Sequence, residues 1–240
     1  MHRVMLLNSK GGCGKTTIAT NLASYFALQG PPPALIDNDP IGYTSRWLKR
    51  RPLGSPPING IANYNLSASA TRSWQLRIPQ NTSTVIIDTP AAMDRDEIRE
   101  LTYDADSILI PVLPSAIDVG FVTGFIADLL LMTQFEKPVA VIANRTRQNT
   151  RSLQMLLDIL ENIETPVISV LRDSQNYLHA VEHGLGIYDM PQHKVRQDVE
   201  QMDRVLEWLG AQLPARAPQL ADDLVFGTAG HPAAMFAPAG

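Results

Sequence analysis

Short apolar runs and longer amphipathic stretches alternate along most of the chain. Runs rich in Val, Ile and Leu at 3–7, 34–36, 84–87, 107–112, 139–143 and 167–171 have the brevity and near-continuous hydrophobicity of strands buried on both faces. Between and after them, stretches at 15–29, 67–75, 95–103, 119–134, 151–163, 174–183 and 194–209 carry apolar residues at helical spacing. Such strand–helix alternation predicts an α/β fold, a doubly wound and mostly parallel sheet flanked by helices on both faces. From 211 to 240 the periodicity stops and Ala, Pro and Gly dominate. The expectation is one domain over residues 1–210 and a disordered tail over 211–240.

Composition narrows the class without naming an activity. A chain of 240 residues, 45% hydrophobic and 18% charged, is large enough for one well-buried core. It has no apolar run of the roughly 18 residues a membrane helix needs, and the first strand pattern begins at once, so a cytoplasmic protein is expected. A single cysteine, Cys13, rules out an internal disulfide. The net charge of −4 means that contact with nucleic acid would have to come from a local basic patch.

The chemistry concentrates after the first strand. Residues 8–17 read N-S-K-G-G-C-G-K-T-T and lead straight into a helical pattern. A strand that leaves through a Gly-rich loop into a helix turns backbone N–H groups and a helix N-terminus toward one point, which suits a polyphosphate. Gly11, Gly12 and Gly14 allow close backbone approach, Lys15 reaches phosphate oxygens, and the Thr16 hydroxyl suits Mg²⁺. Cys13 is read as a small filler of the loop's free position. The usual phosphate-loop pattern has glycine where this chain has Ser9, and an additional lysine, Lys10, follows it.

Three further strand ends supply candidates. The segment A-L-I-D-N-D-P at 34–40 offers Asp37 and Asp39; the run T-V-I-I-D at 84–88 ends in Asp88. Carboxylates at the C-terminal ends of neighbouring parallel strands face the crevice that holds the phosphate loop. Asp88 is suited to Mg²⁺, usually through water, and Asp37 to the same neighbourhood. Asn144, at the end of the 139–143 strand, has the paired donor and acceptor an adenine edge presents. Arg145, Arg147 and Arg151 form a local positive cluster near it. Asp94, Asp96 and Glu97 are read as a solvated helix start, favoured by the helix dipole. His179 and His183, four apart, lack a third ligand and are read as ordinary helix residues. Trp47 beside Lys49, Arg50 and Arg51 is read as an amphipathic turn over the sheet edge.

The loop with Lys10, the Asp-Asn-Asp-Pro segment and Asp88 together resemble the deviant phosphate-loop ATPases of the ParA/MinD family, over the chain up to about Leu209. The resemblance implies ATP and Mg²⁺ as cofactors, with nucleotide contacts at Gly11, Gly12, Cys13, Gly14, Lys15, Thr16, Thr17 and Asn144. It places Thr16, Asp37 and Asp88 at the metal, and makes Lys10, Lys15 and Asp39 catalytic: Asp39 orients the attacking water, and Lys10 reaches a partner subunit's nucleotide. Ile41 stands where the family has Gln after Asp-Pro. The implied cycle is an ATP-bound homodimer on non-specific DNA, opened when a ParB-like or cargo-adaptor protein stimulates hydrolysis. Its cargo would be a plasmid, a chromosomal locus or a body such as a carboxysome, in the cytoplasm and on the nucleoid, with no membrane attachment. Arg172 matches the family's DNA-contacting arginine, and Lys194, Arg196 and Arg204 would extend that surface. The alternative is a metabolic ligase or kinase of the same loop type acting on a small carboxylic acid. An iron–sulfur scaffold would need paired cysteines, and a membrane-cycling regulator a basic amphipathic tail.

Overall fold

The computed structural model describes residues 1–65, 78–163 and 165–212. Seven parallel strands form one sheet: β1 (His2–Leu6), β2 (Ala34–Asp37), β3 (Asn59–Ala62), β4 (Thr84–Asp88), β5 (Ser107–Val112), β6 (Val139–Thr146) and β7 (Val167–Arg172). Their order is β3-β2-β4-β1-β5-β6-β7, with β1 in the middle. Helices α1 (Lys15–Leu28), α2 (Tyr43–Arg50), α3 (Arg95–Tyr103), α4 (Ala116–Met132), α5 (Arg151–Glu161), α6 (Gln175–Glu182) and α7 (Gln192–Gln212) connect and flank them.

The unbroken apolar strands follow from burial on two sides. Met5, Val85, Ile87, Ile108 and Ile110 pack under α3, α4 and α5, against Ile98, Ile126, Leu129, Leu156 and Leu160. The alternate residues Val4, Leu6, Ile86, Leu109 and Ile142 face the other way, onto α1, α2, α6 and α7 through Ile18, Leu22, Trp47, Tyr177, Met202 and Val205. Period-two alternation with apolar residues at every position thus builds two cores on one sheet.

The six strands and most helices read from the pattern are present with ends moved by up to three residues; the last helix begins at Gln192 and runs on to Gln212. The helix expected at 67–75 and the tail from 213 onward lie outside the described residues. Two elements went unread: the edge strand β3 and the helix α2, which the sequence had suggested was only a turn. Asp94 and Glu97 form a reciprocal capping box at the start of α3, in keeping with their reading as a helix start. Among the described residues no helix is long and apolar enough to cross a membrane.

Candidate nucleotide site

The phosphate loop leaves the carboxyl end of the central strand, where connections diverge to the two halves of the sheet. Asn8 braces it: its side-chain amide donates to the Pro111 carbonyl at 2.7 Å, and its Oδ1 accepts from the Lys10 N–H at 2.9 Å. Gly14 takes φ +104°. A Cβ there would come within 2.0 Å of the Asn144 amide nitrogen, so only glycine fits. Asn144 Nδ2 in turn donates to the Cys13 carbonyl at 2.8 Å and ties β6 to the loop. Cys13 is buried, its thiol pushed above the usual range by that burial, as suits a filler rather than a reactive thiolate.

Lys15 is buried and bends over the loop, donating to the Asn8 and Lys10 carbonyls at 2.9 and 3.2 Å. Its charge therefore stays inside the ring of backbone that a phosphate would occupy. Lys10, by contrast, lies at the mouth of the loop with its side chain 38% exposed, paired with Asp118 at the start of α4.

Asp37 and Asp88 are register partners on adjacent strands. Both Asp37 oxygens are used: Oδ2 accepts from the Ser45 N–H and hydroxyl at 2.8 and 2.7 Å, Oδ1 from the Asp39 N–H at 3.2 Å. Asp88 Oδ2 accepts from the Thr16 and Thr44 hydroxyls at 2.7 and 2.6 Å. Its Oδ1 is buried and has no partner among the described residues. Burial raises the Asp88 carboxyl to about 6, the nearby Asp37 adding to the rise and the two hydroxyls and Lys15 opposing it.

An unsatisfied buried carboxylate oxygen beside a phosphate-loop hydroxyl is the all-oxygen environment a hard divalent cation takes. Thr16 and Asp88 fit that group; Asp37 holds α2 and the 38–39 turn through three accepted bonds and keeps acceptor capacity on Oδ1. Asp39 follows on that turn, partly exposed, its Oδ1 accepting from the Ile41 N–H at 2.9 Å.

The model of the CobQ/CobB/MinD/ParA nucleotide binding domain matches residues 4–187. The chain belongs to that family. It is 29% identical over 187 residues to the maintenance of carboxysome distribution protein A of Halothiobacillus neapolitanus, covering 76% of this chain and 85% of that one. In three dimensions it resembles an ATP complex of a McdA variant from Cyanothece (TM-score 0.68, 19% identity, 90% of this chain and 99% of that one). A similar likeness holds to a Borrelia burgdorferi plasmid partition protein bound to AMPPNP (TM-score 0.69, 13% identity, 88% and 99%).

Within this ParA/MinD-type domain the cations expected on a DNA surface divide. Arg172 is not free: its Nε and one terminal nitrogen donate to the buried Asp198 at 2.5 and 2.9 Å, and the other terminal nitrogen to Gln197 at 2.9 Å. Arg196 pairs with Glu200 one turn on. Lys194 and Arg204 are exposed on α7, without a carboxylate partner among the described residues. Arg147 approaches Asp173 at 4.0 Å. The group around Trp47 splits in two: Trp47 donates to the Leu185 carbonyl at 3.0 Å and Arg51 pairs with Asp189 at 3.0 Å, both inward, while Lys49 and Arg50 face solvent. His179 and His183 are exposed, and no group of three or more metal-ligating side chains occurs among the described residues.

Thr44 and Ser45 are the site residues that sequence reasoning passed over. They lie four and five residues after Pro40, outside the Asp-Asn-Asp-Pro segment, whose turn was the one signal that the following residues would return to the crevice.

Proposed function

We propose that this chain is an ATP-driven positioning switch: two copies close face to face on ATP and Mg²⁺, hold non-specific DNA, and separate when a ParB-like or cargo-adaptor protein stimulates hydrolysis. The observation that carries the reading is Lys10. A phosphate loop needs one buried lysine, which Lys15 supplies. A second lysine at the mouth, held by a side-chain carboxylate rather than by the loop itself, is placed to leave its own subunit.

When bound, Mg²⁺ would neutralise phosphate charge and order water, held by Thr16 and Asp88. Lys15 and the loop N–H groups bind and orient the triphosphate, Asn144 fixes the loop against β6, and Asp39 positions the attacking water. Ile41 on the turn after Asp39 and Tyr43 at the start of α2, both large and exposed, offer apolar surface that face-to-face closure would bury. Lys194 and Arg204 supply phosphate contacts for DNA, and Arg172 and Arg196 hold the carboxylates of α7. The likeness to carboxysome-distribution and partition proteins favours a cytoplasmic cargo carried over the nucleoid.

The test is mass measurement by light scattering with a non-hydrolysable ATP analogue and Mg²⁺, alongside retention on random-sequence DNA. The wild type is expected to double in mass and be retained; Lys10→Ala is expected to bind nucleotide and stay monomeric. A wild type that stays monomeric when saturated, or turns over ATP only with a small carboxylic acid, refutes the reading.

A further inference from the structure

Thr44 belongs to no phosphate-loop or carboxylate motif, yet it is wholly buried and makes the shortest hydrogen bond to Asp88. Its neighbour Ser45 holds Asp37 by both its N–H and its hydroxyl. Consecutive residues in the first turn of α2 thus grip two carboxylates that lie side by side on β2 and β4. On Asp88 the grip is one-sided. Thr16 and Thr44 both donate to Oδ2, and Oδ1 is left buried and unpartnered among the described residues.

The two hydroxyls are not equivalent. Thr16 is the residue whose oxygen would offer a lone pair to a cation; its O–H could still donate to Asp88, but the direction of that bond would then be set by the cation as well. A buried carboxylate that loses a donor becomes more costly to keep charged and freer to rotate. Thr44 lies on a different element from the phosphate loop, and among the described residues its hydroxyl has no other partner, so its bond to Asp88 is independent of the cation.

We propose that Thr44 is a positioning residue for the divalent cation: it keeps Asp88 oriented through Oδ2 and leaves Oδ1, unpartnered among the described residues, available as an acceptor. This rests on the reading of Asp88 as the metal-side carboxylate. Groups that orient a metal's ligands set its affinity without touching it, and their loss commonly weakens binding about 10–100-fold.

The experiment measures binding of a fluorescent ATP analogue to the full chain, first in chelator and then across a Mg²⁺ titration, together with the Mg²⁺ concentration giving half-maximal turnover. Thr44→Val removes the hydroxyl and keeps the shape; Thr44→Ala removes it without placing a second methyl in the buried site. Both are expected to bind nucleotide in chelator as the wild type does and to need about tenfold more Mg²⁺ in both readouts. Thr44→Ser is expected to restore the wild-type requirement.

A wild-type Mg²⁺ requirement in either hydroxyl-free variant overturns the proposal. So does loss of chelator-phase binding in both while Thr44→Ser binds, since that pattern belongs to a purely structural residue. The underlying reading fails separately: Asp88→Asn with an unchanged Mg²⁺ requirement would show that Asp88 is not the metal-side carboxylate.

Discussion

Replacing Arg172 separates two roles that the sequence alone could not tell apart. In the fold its guanidinium spans β7 and α7, donating twice to Asp198, whose side chain is fully buried while that of Arg172 is about one-third exposed. Arg172→Gln leaves Asp198 with Asn176 at 2.5 Å and Ser174 at 3.2 Å, both neutral donors. A hydrogen bond to a charged group contributes about 1.5–3 kcal/mol. With the partial exposure of Arg172 discounted, the variant should lose about 2 kcal/mol. For a chain of this size that corresponds to about 4–8 °C in melting temperature.

The pH dependence gives the sign. Burial pushes the Asp198 carboxyl up, but the bond from Arg172, that from Asn176, the guanidinium's charge and the bond from Ser174 together hold it below its ordinary value. A depressed folded-state value contributes stability that is present above the unfolded carboxylate's value of about 3.9 and lost as pH falls through the folded value. The gap between wild type and Arg172→Gln should therefore be full at neutral pH and close in strong acid. Urea melts across that range, with DNA retention measured against salt, are the assay. A phosphate contact would lower the salt slope by about 1 when removed; a brace would leave the slope alone. An unchanged midpoint at neutral pH, a gap that widens in acid, or a slope reduced by one contact would each refute the assignment of Arg172 to the fold.

Four other perturbations test the remaining assignments. Gly14→Ala forces a side chain into φ +104° and onto Asn144, and should abolish nucleotide binding while lowering stability by about 1–3 kcal/mol, read by titration and melting. Asp39→Ala should keep nucleotide affinity and slow turnover, leaving an ATP-bound dimer that persists in light scattering; wild-type hydrolysis would remove it from the mechanism. Arg51→Ala strips the charged partner from Asp189 and leaves it the Ser24 hydroxyl and the Gly186 N–H; in a pair whose side chains are 7% and 8% exposed, it should cost about 3 kcal/mol in a denaturant melt with no change in the nucleotide contacts. Lys194→Glu combined with Arg204→Glu should weaken DNA retention and flatten its salt dependence while ATP-driven mass doubling survives.

The sheet was legible because its strands are buried on both sides: no polar residue interrupts 108–112 or 139–143, so length and flanks sufficed. β3 was not, because Asn59-Gly60-Ile61-Ala62 is a short edge strand with an exposed glycine and neither alternation nor a β-branched run. α2 was hidden by Pro40 and Gly42, which signal a turn, and by an interior that holds only Thr44 and Trp47. The phosphate loop and Asp88 were legible from local pattern. What lay beyond reach was tertiary: Thr44 meets Asp88 across 44 residues and Arg172 meets Asp198 across 26, and neither spacing carries a periodic signature. A positive charge in sequence looks the same whether it serves solvent, phosphate or a buried carboxylate.

On the proposed reading, Lys10 shows how the switch would be held open at little cost. Its pair with Asp118 joins the loop to the start of α4, and Asp118 also receives the Ser115 hydroxyl, so the carboxylate keeps a partner when the lysine leaves. A pair whose lysine is more than one-third exposed is worth about 1 kcal/mol or less. Breaking two of them on the proposed closure would therefore cost about 2 kcal/mol or less, under two powers of ten in the dimerisation constant. A triphosphate offers each departing lysine several charged oxygens in place of one carboxylate, and a diphosphate offers fewer, so the γ-phosphate alone can decide the sign of the exchange. Asp118→Asn should then strengthen dimerisation with the ATP analogue by roughly tenfold and leave the ADP form monomeric. Weaker dimerisation in that variant would mean that Asp118 guides Lys10 toward the second subunit instead of retaining it in the first.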